Sequence, residues 1–146
     1  MKKGKEAGLR KIIKGVTRQF PSLCHLSWIE SHATALGAPD VEYCVCGVEG
    51  WIELKAGPDL DVRASQVTWM EEHVKSGGHP LFLIQWLDLF AIVPGSRAAS
   101  LRADPELENI LRLSSTWWKT EISINELFKV MRNPYAEYRK DHEDIE

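Results

Sequence analysis

The fold is decided by residues 39–55, whose sequence is PDVEYCVCGVEGWIELK. Over residues 41–45, apolar side chains alternate with others, and residues 51–55 show a similar alternation. A period of two is typical of β-strands, and the glycines over residues 47–50 are typical of a turn. This stretch therefore predicts a β-hairpin.

The second strand of this hairpin has two unlike faces. Ile52 and Leu54 are predicted to face the core, whereas Glu53 and Lys55 point the other way. Asp40 stands at the head of the neighbouring strand, so two carboxylates and an amine should converge at one edge of the sheet. Paired carboxylates are oxygen ligands of the kind that Mg²⁺ prefers, often shared with a substrate phosphate. The pattern therefore indicates a metal-dependent site for phosphodiester cleavage, in which Lys55 orients a water or offsets developing charge.

The segments around the hairpin predict an α/β fold with a mixed sheet flanked by helices. Helical periods alternate with short apolar runs, and glycines or prolines separate them. In chain order, the predicted elements are a helix over residues 3–16, a strand or short helix over 23–29, the hairpin, a helix capped by Asp61 and ended by Gly77-Gly78, and strands over 81–84 and 89–93.

The last fifty residues predict additional helices. A Pro at the first helical position over residues 104–106 and a capping box over residues 123–126 are helix starts. Residues 96–135 are therefore predicted to be a helical extension packed on the sheet. Residues 137–146 carry five acidic side chains against two basic ones, which indicates a solvated acidic tail.

Composition limits the class of protein. A chain of 146 residues, 44% apolar, is predicted to form one domain, over residues 1–136. No apolar run is long enough to cross a membrane, and the basic start does not lead into a signal sequence. Three cysteines cannot all pair within the chain, which favours a reducing compartment, and we expect the cytoplasm.

The net charge of −3 combines two unlike parts of the chain. Residues 1–20 carry seven Lys or Arg against one Glu, a net +6, and the remainder carries eleven against twenty, a net −9. The basic part is predicted to contact nucleic acid, because phosphate binding depends on Lys and Arg. The candidate DNA-binding residues are Lys5, Lys11, Lys14 and Arg18 on the first helix, with Arg63 further along the chain.

Pro39-Asp40 followed by Glu53-Leu54-Lys55 resembles the signature of the PD-(D/E)XK nuclease superfamily. The resemblance extends to a helix before the motif, a hairpin between its halves, Gln66 early in the next helix, and a core strand after it. Three short motifs are similar to those of small phage and VRR-NUC-type nucleases, which include resolvases of branched DNA. They are Gly-x-Pro-Asp-Val, Gly-Trp-Ile-Glu-Leu-Lys and Arg-x-Ser-Gln.

This resemblance implies a restriction-endonuclease-like core, αβββαβ, over about residues 3–93, with the C-terminal helices added to it. It implies an endonuclease that uses Mg²⁺, for which Mn²⁺ should substitute, with Asp40 and Glu53 as metal ligands and Lys55 as the catalytic lysine. A branched DNA such as a Holliday junction is the expected substrate. Because a resolvase cuts two strands, a two-fold homodimer is the expected assembly.

Many members of the superfamily add a further acid from the helix that precedes the motif. Glu6 and Glu30 are both candidates, and we favour Glu30 as metal ligand because it is only ten residues before Asp40. Gln66 would offer its amide to a phosphate or to Lys55, and Arg63 lies on the same helical side.

Two other interpretations remain open at the level of sequence. The chain could be a non-catalytic module that binds DNA with the same fold, or an interaction domain in which Cys44 and Cys46 hold zinc. The spacing disfavours zinc, because both cysteines are predicted on one strand face without a matching second pair. Trp117-Trp118 could stack on bases or form a dimer contact, but packing is the more common role. His73 and His79 are predicted to be surface and turn residues.

Overall fold

The computed structural model describes residues 6–29 and 36–136, which form a six-stranded mixed sheet between two layers of helices. The strands lie in the sheet in chain order, and neighbours are antiparallel except for β3 and β4, which are parallel. The helices are α1 (Ala7–Gln19), α2 (Ala64–Lys75), α3 (Ala98–Ala103, after a 3₁₀ turn over Gly95–Arg97), α4 (Leu107–Leu113) and α5 (Ile124–Arg132). The strands are β1 (Cys24–Trp28), β2 (Val41–Val45), β3 (Val48–Gly57), β4 (Leu81–Trp86), β5 (Leu89–Pro94) and β6 (Thr116–Lys119).

The sheet separates two apolar clusters, which explains the alternation along the strands. Ile52 and Leu54 of β3 pack into the cluster covered by α1 and α5, as predicted. Phe82 and Ile84 of β4 pack on the other side, beneath α2, α3 and α4. The next strand after α2 is parallel to β3, so α2 crosses over the face on which the polar residues of β3 lie.

The predicted hairpin is present as β2 and β3, but its turn is tighter than residues 47–50. Only Cys46 and Gly47 connect the strands, with φ of 52° and 83°. Two residues with positive φ form the turn type whose twist matches that of the strands. Gly50 is therefore inside β3, opposite Tyr43, and a Cβ at Gly50 would overlap the tyrosine ring.

Tyr43 joins the hairpin to the last described helix. Its buried hydroxyl donates a hydrogen bond to the backbone oxygen of Met131 over 2.9 Å. We expect Tyr43→Phe to lower the free energy of unfolding by about 1–2 kcal/mol, because the buried carbonyl loses its donor while the packing of the ring is kept. Urea denaturation measures this, and an unchanged midpoint would show that water replaces the hydroxyl.

Two predicted helix boundaries need correction, the end of the first helix and the start of the second. The first helix runs to Gln19, three residues beyond its predicted end, and residues 1–5 lie outside the described chain. The second begins at Ala64, so Asp61 is not its cap. Leu60 and Val62 are buried in the α2-side cluster and hold the preceding segment out of the helix. The backbone N–H of Arg63, at the N-cap position, instead donates to Oε1 of Gln66 over 2.9 Å.

The C-terminal part is only partly helical. α5 is capped as predicted, since the Ser123 hydroxyl accepts from the Glu126 N–H. The helix predicted at residues 104–106 begins at Leu107. The sequence did not predict α3 or β6, which pairs with β5. Trp117-Trp118 lies on β6 with its two rings in opposite clusters, which supports the packing role.

Candidate active site

Asp40 is placed by the segment of residues 37–40, which passes over the first turn of α2. Gly37 has φ of 84°, and a Cβ there would lie less than 3.0 Å from the backbone oxygen of Ser65. Only glycine fits this close approach without strain. Asp40 then precedes β2, and its Oδ2 accepts the backbone N–H of Leu54 over 2.8 Å. This hydrogen bond holds the Asp40 carboxylate at the N–H of Leu54, the residue between Glu53 and Lys55.

Glu53 and Lys55 lie side by side on the face of β3 that α2 covers. Lys55 Nζ is 3.4 Å from Glu53 Oε2, and the two side chains are 1% and 2% exposed, respectively. Gln66 of α2 connects them, because its Oε1 accepts from Lys55 Nζ over 2.9 Å and its Nε2 donates to Glu53 Oε2 over 2.8 Å. The structure thus brings together Asp40, Glu53, Lys55 and Gln66, all predicted from sequence as site residues.

The ammonium group of Lys55 is held from three directions. It donates to Gln66 Oε1 and to the backbone oxygen of Asp61, and it faces the carboxylate of Glu53. The Asp61 carbonyl belongs to the segment between β3 and α2, so strand, loop and helix all fix the position of Nζ. The same Oε1 of Gln66 also accepts from the N-cap N–H of Arg63, which sets the direction of the amide.

Burial of the charged side chains of Asp40, Glu53 and Lys55 has an energetic cost. Removing a carboxylate and an ammonium from water costs several kcal/mol per ion, and well-packed apolar side chains at such positions are often at least as stabilising. Departures of this kind from a stable apolar core are expected at functional sites. Asp40, at 9% exposed, is the most accessible of the three charged residues. The three buried charged side chains are therefore the candidate site.

Asp40 and Glu53 are the candidate metal ligands of this site. Mg²⁺ is commonly held by one or two carboxylates, with waters and substrate phosphate completing its shell. Asp40 and Glu53 supply such carboxylates on adjacent strands. Across residues 6–29 and 36–136, no group of three or more His, Cys, Asp or Glu side chains is placed to hold a metal. A magnesium site can be formed by only one or two carboxylates.

The prediction that Cys44 and Cys46 lie on one strand face is wrong. Cys44 lies on β2, but Cys46 is exposed in the turn, so they do not share a strand face. Cys46 is instead close to Cys24 of β1, because the N–H of Cys46 donates to the backbone oxygen of Leu23, the residue before Cys24. Burial, with a smaller effect of the nearby Cys46, raises the pKa of the Cys24 thiol. A raised pKa reduces the thiolate needed for metal binding at neutral pH.

The auxiliary acid stays a prediction. Glu30, the favoured candidate, lies outside the described residues. Glu6 is buried immediately before α1. The neighbouring Gly8 approaches Gln85, which is opposite Ala56 at the end of β3 that bears Lys55. Glu6 is therefore at the same end of the sheet as the site.

The candidate DNA-binding residues are on two surfaces. Lys11, Lys14 and Arg18 are exposed on α1, on the opposite side of the sheet from Gln66, and Lys5 lies outside the described residues. Arg63 is exposed at the start of α2, three residues before Gln66. Of the candidates that the structure describes, Arg63 is therefore the one that adjoins the polar network directly.

An aromatic cluster beside the network was not predicted. Trp51 lies on β3 on the same face as Glu53, and its ring contacts Trp69 of α2 edge-on with 5.2 Å between centroids. Trp69 stacks on His73 at 4.5 Å. Helical spacing of residues 66, 69 and 73 puts these side chains on one side of α2, a signal that was available in the sequence.

His73 should make stability depend on pH. Its pKa is lowered, chiefly because burial disfavours the charged imidazolium, while Glu42 acts in the opposite direction. The unfolded chain then binds the proton more tightly than the folded chain. We expect stability to be complete above about pH 6.5, the ordinary histidine pKa, and to fall as the pH decreases through the lower folded value.

The test compares melting temperatures at neutral and mildly acidic pH. His73→Gln should reduce the loss of melting temperature on acidification. His79→Gln is the matched control, because His79 is exposed. Equal acid sensitivity of the wild type and His73→Gln would contradict the assignment.

The sequence was compared with protein-family models and with curated proteins. No protein-family model matches the chain, and no curated protein matches it. Among the helices of the described residues, none is long and apolar enough to cross a membrane.

Proposed function

We propose that this chain is an Mg²⁺-dependent endonuclease that hydrolyses phosphodiester bonds in DNA, with a PD-(D/E)XK site on a restriction-endonuclease-like core. The observation that carries the proposal is the convergence of Asp40, Glu53 and Lys55. Asp40 bonds to the Leu54 amide between the other two, and Gln66 bonds to both of them. Two carboxylates can hold a catalytic metal ion, and a fixed lysine beside them can offset developing negative charge.

The order of elements also supports the proposal. A helix, three antiparallel strands, a second helix and a strand parallel to the third follow one another from α1 to β4. This is the αβββαβ order that the resemblance implies. The motif residues occupy corresponding places in it, at the head of β2 and on β3 beneath the crossover helix.

Each side chain has a defined role in the proposed reaction. Asp40 and Glu53 would hold Mg²⁺, which polarises a phosphoryl oxygen and lowers the pKa of a bound water. Lys55 offsets negative charge that develops on the phosphoryl group, and it can do so without reorganisation because its position is already fixed. Gln66 keeps the Glu53 carboxylate and the Lys55 ammonium in register.

The proposed substrate is branched DNA, such as a four-way junction, cut by a homodimer. The resemblance to small resolvases supports the substrate, and paired cuts on two strands favour two-fold symmetry. Residues 96–135 are the proposed contact surface for the second copy, and α1 is the alternative. Sedimentation velocity with and without junction DNA measures the assembly.

The test is a cleavage assay with labelled four-way junction, flap and linear duplex, in Mg²⁺, in Mn²⁺ and in EDTA. We expect cleavage with either metal and none in EDTA. Asp40→Asn should remove cleavage while leaving the fold intact. Asp59→Asn is its matched control, because Asp59 is exposed and its φ of 72° suits asparagine.

The outcomes separate the alternative functions. Binding of DNA without cleavage under any condition would favour the non-catalytic module and reject the enzyme. Zinc that copurifies and is lost with Cys44→Ser would favour the interaction domain. Linear duplex cut as fast as junction would reject only the preference for branched DNA.

A further inference from the structure

Arg10 and Lys14 lie over one face of Trp28, between α1 and the edge strand β1. The Arg10 guanidinium carbon is 4.8 Å from the ring centroid, and Lys14 Nζ is 5.7 Å from it. Both distances are within the range of cation–π attraction. We name these three residues the cation–tryptophan cluster.

This cluster is at the catalytic end of the sheet. Trp28 is opposite Val41 in the β1–β2 register, and Asp40 is the residue immediately before Val41. The N–H of Ile29 also bonds to the backbone oxygen of Asp40 over 2.9 Å. Trp28 is therefore one strand away from the proposed metal ligand, on the side of the sheet covered by α1.

The charge around the cluster is uniformly positive along its helix. α1 contains Arg10, Lys11, Lys14 and Arg18 and no acidic residue. Arg10 and Lys14 are one turn apart on α1, and both cationic groups lie over the Trp28 ring, so two positive charges are held close together. An anion with closely spaced charges, such as the phosphate backbone of a nucleic acid, fits this arrangement.

We propose that the cation–tryptophan cluster binds the phosphate backbone of DNA on the α1 side of the sheet, at the end that carries Asp40, with Trp28 acting as a positioning residue for the two cations. The proposal rests on the proposed nuclease function for the identity of the ligand. Stacking on Trp28 restricts the two long side chains before binding, so less conformational entropy is lost when a phosphate arrives. Arg10 and Trp28 are thereby added to the proposed DNA-binding residues. Lys14, already a candidate, would bind phosphate while its position is fixed by the Trp28 ring.

The test measures DNA binding in EDTA, where cleavage plays no part, over a range of salt concentrations. Each phosphate contact contributes about 0.9 to the slope of log affinity against log salt. Arg10→Ala/Lys14→Ala should therefore reduce the slope by about 1.8. Lys75→Ala/Lys119→Ala removes the same charge from exposed positions elsewhere and should leave the slope near that of the wild type.

Trp28 is tested separately because it carries no charge. Trp28→Leu should keep the slope but weaken binding about three- to fivefold, and Trp28→Phe should fall between it and the wild type. Arg10→Lys, which keeps the charge, should preserve the slope. Melting temperatures are measured for every variant, and Trp28→Phe serves if Trp28→Leu fails to fold.

Several results would overturn the proposal. They are a wild type that does not bind DNA, a slope for Arg10→Ala/Lys14→Ala equal to that of the control pair, and binding to Trp28→Phe as tight as to the wild type. Loss of binding to polyglutamate with DNA binding unchanged would assign the surface to an acidic protein instead. A reduced slope in a protein that never cuts DNA would reject the nuclease but keep this inference.

Discussion

Replacing Lys55 with methionine should abolish DNA cleavage and also destabilise the fold. The loss of a fixed cation removes several kcal/mol of transition-state stabilisation, which corresponds to a rate decrease on the order of 10³-fold. It also leaves Glu53 buried without its cation, which costs about 3–5 kcal/mol in free energy of unfolding. Junction cleavage and urea denaturation measure the two effects.

A second variant separates catalysis from stability. Glu53→Gln/Lys55→Met leaves no charge at either position of the buried pair, so most of the stability should return while cleavage stays absent. Lys75→Met is the matched surface control and should retain both properties. Cleavage by the double variant near the wild-type rate would show that the buried pair serves only the fold.

Replacing Gly37 with alanine should lower the free energy of unfolding by about 3 kcal/mol or more. The new Cβ would overlap the Ser65 carbonyl, and the positive φ adds strain of its own. Any relief must move the segment of residues 37–40 away from α2, which shifts Asp40 relative to Gln66. Cleavage should therefore fall more than stability alone explains, even at temperatures where the variant is folded.

Gly47→Ala is the matched control for this substitution. Gly47 has nearly the same φ, 83°, but a Cβ there would meet nothing within 4 Å. Its cost should be only the left-handed conformation, about 1–2 kcal/mol, with cleavage unchanged. Equal losses in the two variants would mean that the approach of Gly37 to α2 has no special role.

The hairpin and the convergence of charges could be predicted because both follow from a period of two. Once β2 and β3 are paired, Asp40, Glu53 and Lys55 must come to neighbouring places. The Leu54 amide and the Asp61 carbonyl, which fix Asp40 and Lys55, could not be predicted. They are backbone groups whose partners depend on the path of loops.

The elements that were missed are those in which tertiary burial outweighs local preference. Asp61 has the side chain of a helix cap, but burial of Leu60 and Val62 delays the helix to Ala64. β6 has only four residues and apolar clusters on both of its faces, so no alternation marks it in the sequence. The convergence of Asp40, Glu53, Lys55 and Gln66 was thus predictable, but the backbone groups that hold Asp40 and Lys55 were not.

The hydrogen bonds of the site and of the core differ in their distance along the chain. Those among Asp40, Glu53, Lys55, Gln66 and Leu54 span 11 to 14 residues, whereas Tyr43 and Met131 are 88 residues apart. Closing a longer loop costs more entropy, by about 0.6 kcal/mol for each doubling of its length. The contacts of the polar network are therefore local in sequence, whereas the contact of β2 with α5 requires most of the chain to be in place.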